Sequence, residues 1–267
     1  MAHFFIFLTA NMKYMNKLTL ITGATSGIGK ATARKFAQMG CDLILTGRRK
    51  DRLDHLKNEL ESQFNIQILT LHFDVRQNQE VMEAVSGLKS PWTAIEILVN
   101  NAGLASGMDH IHEGVLDDWE RMIDTNVKGL LYMSRAITPL FIKNGSGHIV
   151  NIGSTAGKEV YEKGNVYCAT KHAVDALSKG MRIDLLRHGI KVTSVNPGLV
   201  ETEFSLVRFH GDSEKARIPY QGMQPLRGED VAEVIWYVTS LPDHVTVNDI
   251  VVTAKDQANS FYIRRDS

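Results

Sequence analysis

The chain has 267 residues, of which 43% are hydrophobic and 22% are charged, and its 30 basic residues balance its 30 acidic residues. This length suits one large domain or two small ones, and the composition is typical of a globular protein. A formal net charge of zero gives no sign of a nucleic-acid or membrane partner.

The amino-terminal region differs from the rest of the chain. We predict that residues 1–16 form an extension before a single domain over residues 17–267. The apolar run from Phe4 to Ala10 is too short to span a bilayer, and only His3 precedes it, which does not fit a signal peptide. The two cysteines, Cys41 and Cys168, make no disulfide framework, so we predict two small buried thiols in a cytoplasmic protein.

Short β-branched runs alternate with longer amphipathic segments from residue 17 onward. This alternation predicts an α/β fold in which crossover helices join parallel strands, and the apolar central strands predict that both faces of the sheet are covered. Right-handed crossovers favour an open, doubly wound sheet with helices on both faces. The predicted strands are Lys17–Thr22, Cys41–Thr46, Ile66–Phe73, Ile95–Asn100, His148–Ile152, Ile190–Val195 and Asp249–Val252. The predicted helices are Gly27–Met39, Lys50–Gln63, Gln77–Leu88, Asp117–Lys143, Asn165–Arg187 and Glu229–Ser240.

Ligands of such sheets bind at the carboxyl ends of the strands. The first strand is followed by Gly23-Ala-Thr-Ser-Gly27-Ile-Gly29, which opens a helix. Glycines allow a tight turn, and unpaired N–H groups at a helix start suit a phosphate. A glycine-rich turn can be purely structural, but its place between a strand and a helix favours binding of a pyrophosphate. The lysine of a nucleoside-triphosphate P-loop is absent.

The second strand is followed by Gly47-Arg48-Arg49-Lys50. A site for NAD usually has an acidic residue here for the ribose 2′-hydroxyl, whereas an arginine accommodates a 2′-phosphate. The sequence therefore predicts NADP as the cofactor, held by Arg48 and Arg49. A solvated basic surface at the start of a helix accounts for Lys50 and Arg52, whereas basic residues there oppose the helix dipole unless an anion is present, which favours a binding role for Arg48 and Arg49.

Polar or small residues also follow the next strands. After the third strand, Asp74-Val75 could hold the adenine amino group, or Asp74 could cap the following helix; the sequence leaves both open. After the fourth strand, Asn101, Ala102 and Gly103 allow a ribose to approach the backbone. Ser154 follows the fifth strand, and Pro197-Gly198 follows the sixth.

The reactive group is predicted to be Tyr167. Lys171 lies four residues further, on the same face of a helix. Tyrosine has a pKa of about 10 in water, and a neighbouring ammonium should lower it toward the range of a useful base. Ser154 could donate a hydrogen bond to a substrate carbonyl oxygen while Tyr167 supplies the proton.

Polar side chains also occur at Asn126 and within Asp109–Glu113. Asn126 lies in the middle of a predicted helix, on its buried side, and needs partners there. It is either a hydrogen-bond anchor or part of a water site that links Lys171 to solvent. Two histidines within Asp109–Glu113 are too few for a zinc site, so no metal is predicted.

Together these motifs resemble those of the short-chain dehydrogenase/reductase family. They occur in the same order along the chain as in that family, and the resemblance covers nearly the whole chain from Lys17. The resemblance implies a Rossmann-type sheet of about seven strands and a small substrate lid after the sixth strand. It also implies a catalytic tetrad of Asn126 (relay), Ser154 (carbonyl polarisation), Tyr167 (acid/base) and Lys171 (ribose contact). The implied cofactor contacts are Gly23, Thr25, Ser26, Gly27, Ile28, Gly29, Arg48, Arg49, Asp74, Val75, Asn101, Ala102, Gly103, Tyr167, Lys171, Pro197, Gly198, Val200 and Thr202.

A narrower likeness concerns Leu98–Ala105, Ile152–Gly157, Asn165–Lys171 and Pro197–Phe209. These segments are similar to NADP-dependent 3-hydroxy acid dehydrogenases, which implies short substrates such as serine, allo-threonine or 3-hydroxypropionate, and a homotetramer. The chain departs from them in its leader and in the tail Ile250–Ser267, which could touch a neighbouring subunit's site.

A 3-hydroxy acid needs a partner for its carboxylate, and Arg208 in the predicted lid is the candidate, because its planar fork matches a carboxylate. A salt bridge at the surface or at an interface is the other interpretation of Arg208. The predicted substrate contacts are Ser154, Tyr167 and Arg208. Two alternatives for the whole protein remain open: a reductase of other small carbonyls such as sugars, aldehydes or diketones, and a non-catalytic NADP-binding regulatory protein.

Overall fold

The structure, a computed structural model, describes residues 17–266, and the predicted extension over residues 1–16 lies outside that range. Seven parallel strands form one sheet in the order β3-β2-β1-β4-β5-β6-β7. The predicted Rossmann-type, doubly wound sheet is therefore confirmed. The strands are β1 (Thr19–Thr22), β2 (Leu43–Gly47), β3 (Ile68–His72), β4 (Ile97–Asn100), β5 (His148–Ile152), β6 (Lys191–Pro197) and β7 (Asp249–Val252).

Nine α-helices lie within residues 17–266, and none of them is long and apolar enough to cross a membrane. Two short ones, which follow β6, were not predicted because five or six residues carry too little periodicity to detect. The helices are α1 (Gly27–Gln38), α2 (Lys50–Gln63), α3 (Asn78–Ser86), α4 (Leu116–Ile123), α5 (Leu130–Asn144), α6 (Asn165–Leu185), α7 (Glu203–Arg208), α8 (Ser213–Arg217) and α9 (Gly228–Thr239).

Apolar side chains fill a layer on each face of the sheet, because successive residues of a strand point to opposite faces. Ile21 of β1 packs in the layer shared with α1, α2 and α9, whereas Leu20 packs in the layer shared with α3 and α5. The largest helix side chains of the two layers, Phe36 and Phe141, are fully buried. Burial on both faces explains the unbroken apolar runs seen in the sequence.

The long central helix predicted over Asp117–Lys143 is interrupted. A π-helical turn, Asp124–Gly129, separates α4 from α5. Such turns add one residue to the helical ladder and occur often at functional sites. The apolar period cannot show the inserted residue, so the sequence predicted a single helix.

The order of the strands determines where a ligand binds. The chain runs outward from β1 through β2 to β3, and then crosses back to β4 on the other side of β1. Loops that follow β1 and β4 therefore leave the sheet in opposite directions and open a crevice between them. A cleft of about 810 Å³ lies at this edge of the sheet.

Candidate active site

The turn after β1 forms one end of the cleft. Gly23 and Gly27 have positive φ angles of 66° and 51°, which favour glycine. A Cβ atom on Gly29 would lie 2.4 Å from Asn101 Nδ2 and 2.5 Å from the Gly23 carbonyl oxygen. The three glycines thus allow a turn that brings the N–H groups at the start of α1 to the cleft, where a phosphate fits.

Asn101 holds this turn in place. Its Nδ2 donates to the Thr22 carbonyl oxygen at 2.8 Å, and its backbone N–H and that of Ala102 donate to Thr22 Oγ1 at 3.0 and 2.9 Å. The end of β4 is thereby fixed to the end of β1. The sequence interpretation, in which these small residues only make space for a ribose, missed this structural role of Asn101.

The two arginines after β2 differ in their surroundings. Arg49 donates to the hydroxyls of Thr25 and Ser26 at 2.8 Å each, and it forms an ion pair with Glu203 of α7 at 2.8 Å. Arg48 has a side chain that is 55% exposed, with Asp74 Oδ2 3.8 Å from its Nη1. Arg48 is therefore the freer cation for an anionic group in the cleft.

Asp74 already has protein partners. It accepts hydrogen bonds from the backbone N–H of Arg76 at 3.0 Å and from the Arg76 guanidinium at 2.7 and 2.9 Å. Burial opposes ionisation of this carboxyl, but the hydrogen bonds from Arg76 outweigh it and lower the pKa of Asp74. These contacts cap the turn at Arg76, whereas α3 has Gln77 before its first residue and no side-chain cap there, so the predicted helix cap is not found. The predicted adenine contact of Asp74 stays a prediction. Both Asp74 and Val75 also line the cleft.

Ser154, Tyr167 and Lys171 lie together at the other end of the cleft. Ser154 follows β5, and Tyr167 and Lys171 are one turn apart on α6. All three are buried. Lys171 Nζ donates to the Ile152 carbonyl oxygen at 2.8 Å and lies 6.0 Å from the centre of the Tyr167 ring. The structure thus brings together a phenol, a hydroxyl and an amine from two distant segments.

The electrostatics of this group differ from the sequence expectation. Burial raises the pKa of Tyr167, and Tyr161 raises it further, while a hydrogen bond with Ser154 and the charge of Arg208 lower it. The expected lowering by Lys171 is not found, since the Lys171 ammonium is turned toward Ile152 and burial lowers its own pKa to about 8. The cation that acts on the phenol is Arg208.

Asn126 lies in the π-helical turn and does not line the cleft. Its Oδ1 accepts from the Leu104 N–H at 2.8 Å, and its Nδ2 donates to the Leu104 carbonyl at 2.8 Å and to Thr170 Oγ1 at 3.0 Å. These contacts correspond to the anchor interpretation. A Cβ on Gly103 would lie 3.2 Å from Asn126 Oδ1 and 3.7 Å from Lys171 Nζ, so Gly103 lies between these two side chains.

Arg208 reaches the site from the lid after β6. Its guanidinium carbon lies 5.5 Å from the centre of the Tyr161 ring and 5.7 Å from that of Tyr167. Its Nε is buried without a hydrogen-bond partner, and no carboxylate within residues 17–266 forms an ion pair with Arg208. The surface salt bridge that the sequence left open is thus not observed there.

The carboxyl-terminal tail closes the cleft of its own chain. Gln257 accepts from the Leu199 N–H at 2.8 Å, and Arg265 donates to the carbonyl oxygens of Pro219 and Gln221. Residues 257, 260, 263 and 265 line the cleft. The fold-back was not predicted, because no local pattern shows where an irregular tail folds, and contact of this tail with a neighbouring subunit's site stays a prediction.

Most of the predicted contacts meet in this one cleft. Every predicted cofactor or substrate residue lines it except Gly29, which packs behind the turn. Sequence reasoning missed several cleft residues, for which no motif was available. These are Tyr161, Glu203, Phe204, Tyr220, Gln257, Ser260, Ile263 and Arg265.

The cysteines and the histidine pair were also singled out in the sequence. Cys41 and Cys168 are buried, as predicted, and form no disulfide within residues 17–266; burial raises the pKa of the Cys41 thiol to about 12. The rings of His110 and His112 stack at 5.8 Å. In the part of the chain from 17 to 266, no group of three or more His, Cys, Asp or Glu side chains is arranged to hold a metal ion.

Comparison with known proteins gives consistent relatives. A family model described as short chain dehydrogenase matches residues 17–211. The NADP-dependent 3-hydroxy acid dehydrogenase of Escherichia coli (strain K12) is 49% identical over 87% of this chain and 93% of its own. Sulfoacetaldehyde reductase 2 of Chromohalobacter salexigens is 44% identical over 94% of this chain and 100% of its own. The closed form of a serine dehydrogenase complexed with NADP⁺ superposes with a TM-score of 0.87, at 46% identity, over 93% of this chain and 100% of its own.

Proposed function

Because the chain belongs to the short chain dehydrogenase family, we propose that it is an NADP-dependent oxidoreductase acting on short 3-hydroxy acids. It would reversibly oxidise the 3-hydroxyl group of compounds such as serine, allo-threonine or 3-hydroxypropionate. One observation carries the proposal: the Tyr167 phenol, the Ser154 hydroxyl and the Arg208 guanidinium meet at one end of a cleft whose other end has the glycine turn.

The residues of the cleft fit NADP. Gly23 and Gly27 leave open a cradle that side chains would narrow, since a Cβ on Gly27 would lie 3.2 Å from Thr202 Cβ. This turn would hold the pyrophosphate, and Arg48 and Arg49 would hold the 2′-phosphate. When bound, the nicotinamide accepts or returns the hydride.

Tyr167 would be the acid/base and Ser154 the group that orients the substrate oxygen. Burial keeps the Tyr167 phenol protonated, which suits proton donation during carbonyl reduction. For alcohol oxidation Tyr167 must take the hydroxyl proton, and the charge of Arg208 favours the phenolate that does so. The buried Ser154 hydroxyl, which accepts from the Ala156 N–H at 3.1 Å, would donate its own proton to the same substrate oxygen.

Arg208 would bind the carboxylate of the substrate. Its guanidinium lies over the two tyrosine rings, and its buried Nε lacks a partner. A buried donor without a partner is unfavourable, so an anionic group placed there gains a charge-assisted hydrogen bond that the protein does not supply. The proximity of Arg208 to Tyr167 suits a substrate whose acid group and hydroxyl lie only a few bonds apart.

A second candidate substrate class is a small carbonyl compound with a different anionic group. The relative named sulfoacetaldehyde reductase, at 44% identity, favours it, because a guanidinium also binds the oxygens of a sulfonate. A neutral carbonyl is disfavoured, since it would leave Arg208 without an anionic partner in the described part of the cleft.

A substrate screen tests the proposal. The purified chain is offered NADP⁺ or NAD⁺ with serine, allo-threonine, 3-hydroxypropionate, 3-hydroxyisobutyrate, 2-hydroxyethanesulfonate and neutral alcohols of the same size. We expect the highest kcat/KM with NADP⁺ and a 3-hydroxy acid. A preference for neutral alcohols contradicts the substrate class, and absence of turnover with every compound supports a non-catalytic NADP-binding protein.

We also propose that the chain forms a homotetramer. Large apolar side chains lie exposed on two helices, including Leu116 of α4 (67% exposed) and Ile183 of α6 (76% exposed). Exposed apolar surface of this kind is often covered by another subunit. Light scattering on the purified chain distinguishes four copies from one.

A further inference from the structure

A buried carboxylate outside the cleft holds the segment that carries Arg208. Asp118, in the first turn of α4, has a side chain that is only 5% exposed. Its Oδ1 accepts from Ser106 Oγ at 2.5 Å, and its Oδ2 lies 3.1 Å from His210 Nε2. Ser106 belongs to the loop after β4 and His210 to the turn after α7, so Asp118 joins the two. We call Ser106, Asp118 and His210 the clamp.

The geometry excludes a nucleophilic triad. In such a triad the histidine lies between the serine and the carboxylate, so that it can take the proton of the serine. In the clamp the carboxylate lies between Ser106 and His210. The contacts therefore join parts of the chain and activate no hydroxyl.

The backbone at both ends of the clamp is adapted to it. His210 has a positive φ of 51°, a conformation that is uncommon for a residue with a side chain. Gly107 has a φ of 71°, and a Cβ there would lie 2.9 Å from Asp118 Oδ2. The Gly107 N–H donates to the carbonyl oxygen of Arg208 at 2.9 Å. The strained turn thus brings the imidazole to Asp118 and the end of α7 to the loop after β4.

The clamp is also next to the candidate reaction centre. A cavity of about 10 Å³ is lined by Asp118, Tyr167 and Arg208, among others. The only other charged side chain within ion-pair distance of Asp118, among residues 17–266, is Arg121, at 3.6 Å. Arg208 is the last residue of α7, so displacement of this end of the helix would move the guanidinium away from the Tyr167 ring.

We propose that Asp118 and His210 are positioning residues that hold the Arg208 guanidinium over Tyr167 and so determine the affinity for the acid group of the substrate. The inference rests on the proposed function, in which Arg208 binds that group. A contact used equally in the ground state and the transition state changes KM and leaves kcat unaltered. Loss of the clamp should therefore raise KM for a hydroxy acid without changing KM for a neutral alcohol.

His210→Asn tests the clamp without disturbing the backbone. Asparagine tolerates the positive φ of this position but is too short to reach Asp118. We expect about a five- to tenfold rise in KM for the acid, with kcat within about twofold of wild type, which is the size of the net contribution of one ordinary hydrogen bond. Asp118→Asn, which keeps the shape but not the charge, should act in the same direction. The matched control is His112→Asn, an exposed histidine that lies outside the clamp, next to Glu113 and the His110 ring.

Hydrogen exchange at the Gly107 amide gives a readout that is independent of the substrate. In His210→Asn this amide should exchange about tenfold faster than in wild type, because its acceptor on Arg208 is held less firmly. Unchanged exchange and unchanged KM in both variants would overturn the proposal, as would equal losses with acid and neutral substrates. If the wild type turns over no acid but Gly107 exchanges faster in the variants, the clamp stands and the proposed substrate class fails.

Discussion

Arg208→Gln separates binding of the acid group from the chemistry. Glutamine keeps a polar side chain beside Tyr161 but removes the positive charge. Because no carboxylate within residues 17–266 pairs with Arg208, the substitution leaves no uncompensated protein charge. We therefore expect a folded variant whose melting temperature is close to that of wild type.

The magnitude follows from the surroundings of the guanidinium. Two tyrosine rings within 5.7 Å of its carbon, and a buried Nε, place it in a shielded environment. A surface ion pair contributes about 0–1 kcal/mol, whereas loss of one partner of a shielded charge pair costs about 2–5 kcal/mol. We expect kcat/KM for a 3-hydroxy acid to fall about 10²- to 10³-fold, which corresponds to roughly 3–4 kcal/mol.

The assay compares two substrates in the reduction direction. Tyr167 starts this reaction protonated, and loss of the Arg208 charge, which lowers the pKa of Tyr167, leaves it protonated. NADPH consumption is followed with a 3-oxo acid and with a neutral ketone of the same size. Arg217→Gln, an exposed arginine of α8, is the control. Equal losses with both substrates, or a small loss with the acid, would refute the role of Arg208.

Three further predictions follow from other parts of the fold. Arg48→Ala and Arg49→Ala should each weaken NADPH binding at least about tenfold more than NADH binding, and equal losses measured by titration contradict the 2′-phosphate assignment. Burial lowers the pKa of His148 to about 3, so between pH 6.5 and that value only the unfolded state binds the proton, and the free energy of unfolding decreases by up to about 1.4 kcal/mol for each unit by which the pH is lowered. His148→Asn should remove this contribution to the pH dependence of urea unfolding between pH 6 and 5, and an unchanged pH dependence argues against it. Gly29→Ala should destabilise by about 1–3 kcal/mol because its Cβ overlaps Asn101, whereas Gly180→Ala, where a Cβ meets nothing within 4 Å, should stabilise by about 0.5–1 kcal/mol; similar melting shifts for the two would refute this.

The strands and helices were predictable because the spacing of their apolar residues along the sequence shows which residues are buried. The strands His148–Ile152 and Asp249–Val252 and the helix Lys50–Gln63 match the structure at both ends. The residues after the strands were predictable in turn, since parallel strands bring their carboxyl ends to one edge. The sequence therefore places Ser154 at this edge, and the four-residue spacing places Tyr167 and Lys171 on one face of the next helix.

Features that depend on distant contacts could not be predicted. The contact of Gln257 with Leu199, the position of Tyr161 below Arg208 and the fold-back of the tail all join segments with no shared periodicity. The electrostatic expectation for Tyr167 failed for the same reason. The spacing to Lys171 shows a shared helix face, but it shows neither the depth of burial nor the approach of Arg208 from the lid.

The central claim is that the Tyr167 phenol transfers the proton of the reaction. The most direct measurement is kcat/KM of Tyr167→Phe, beside its NADPH affinity and melting temperature. We predict a folded protein that binds NADPH within about twofold of wild type and loses at least about 10²- to 10⁴-fold in kcat/KM, the usual contribution of a general acid/base. Turnover equal to that of wild type would show that another group transfers the proton.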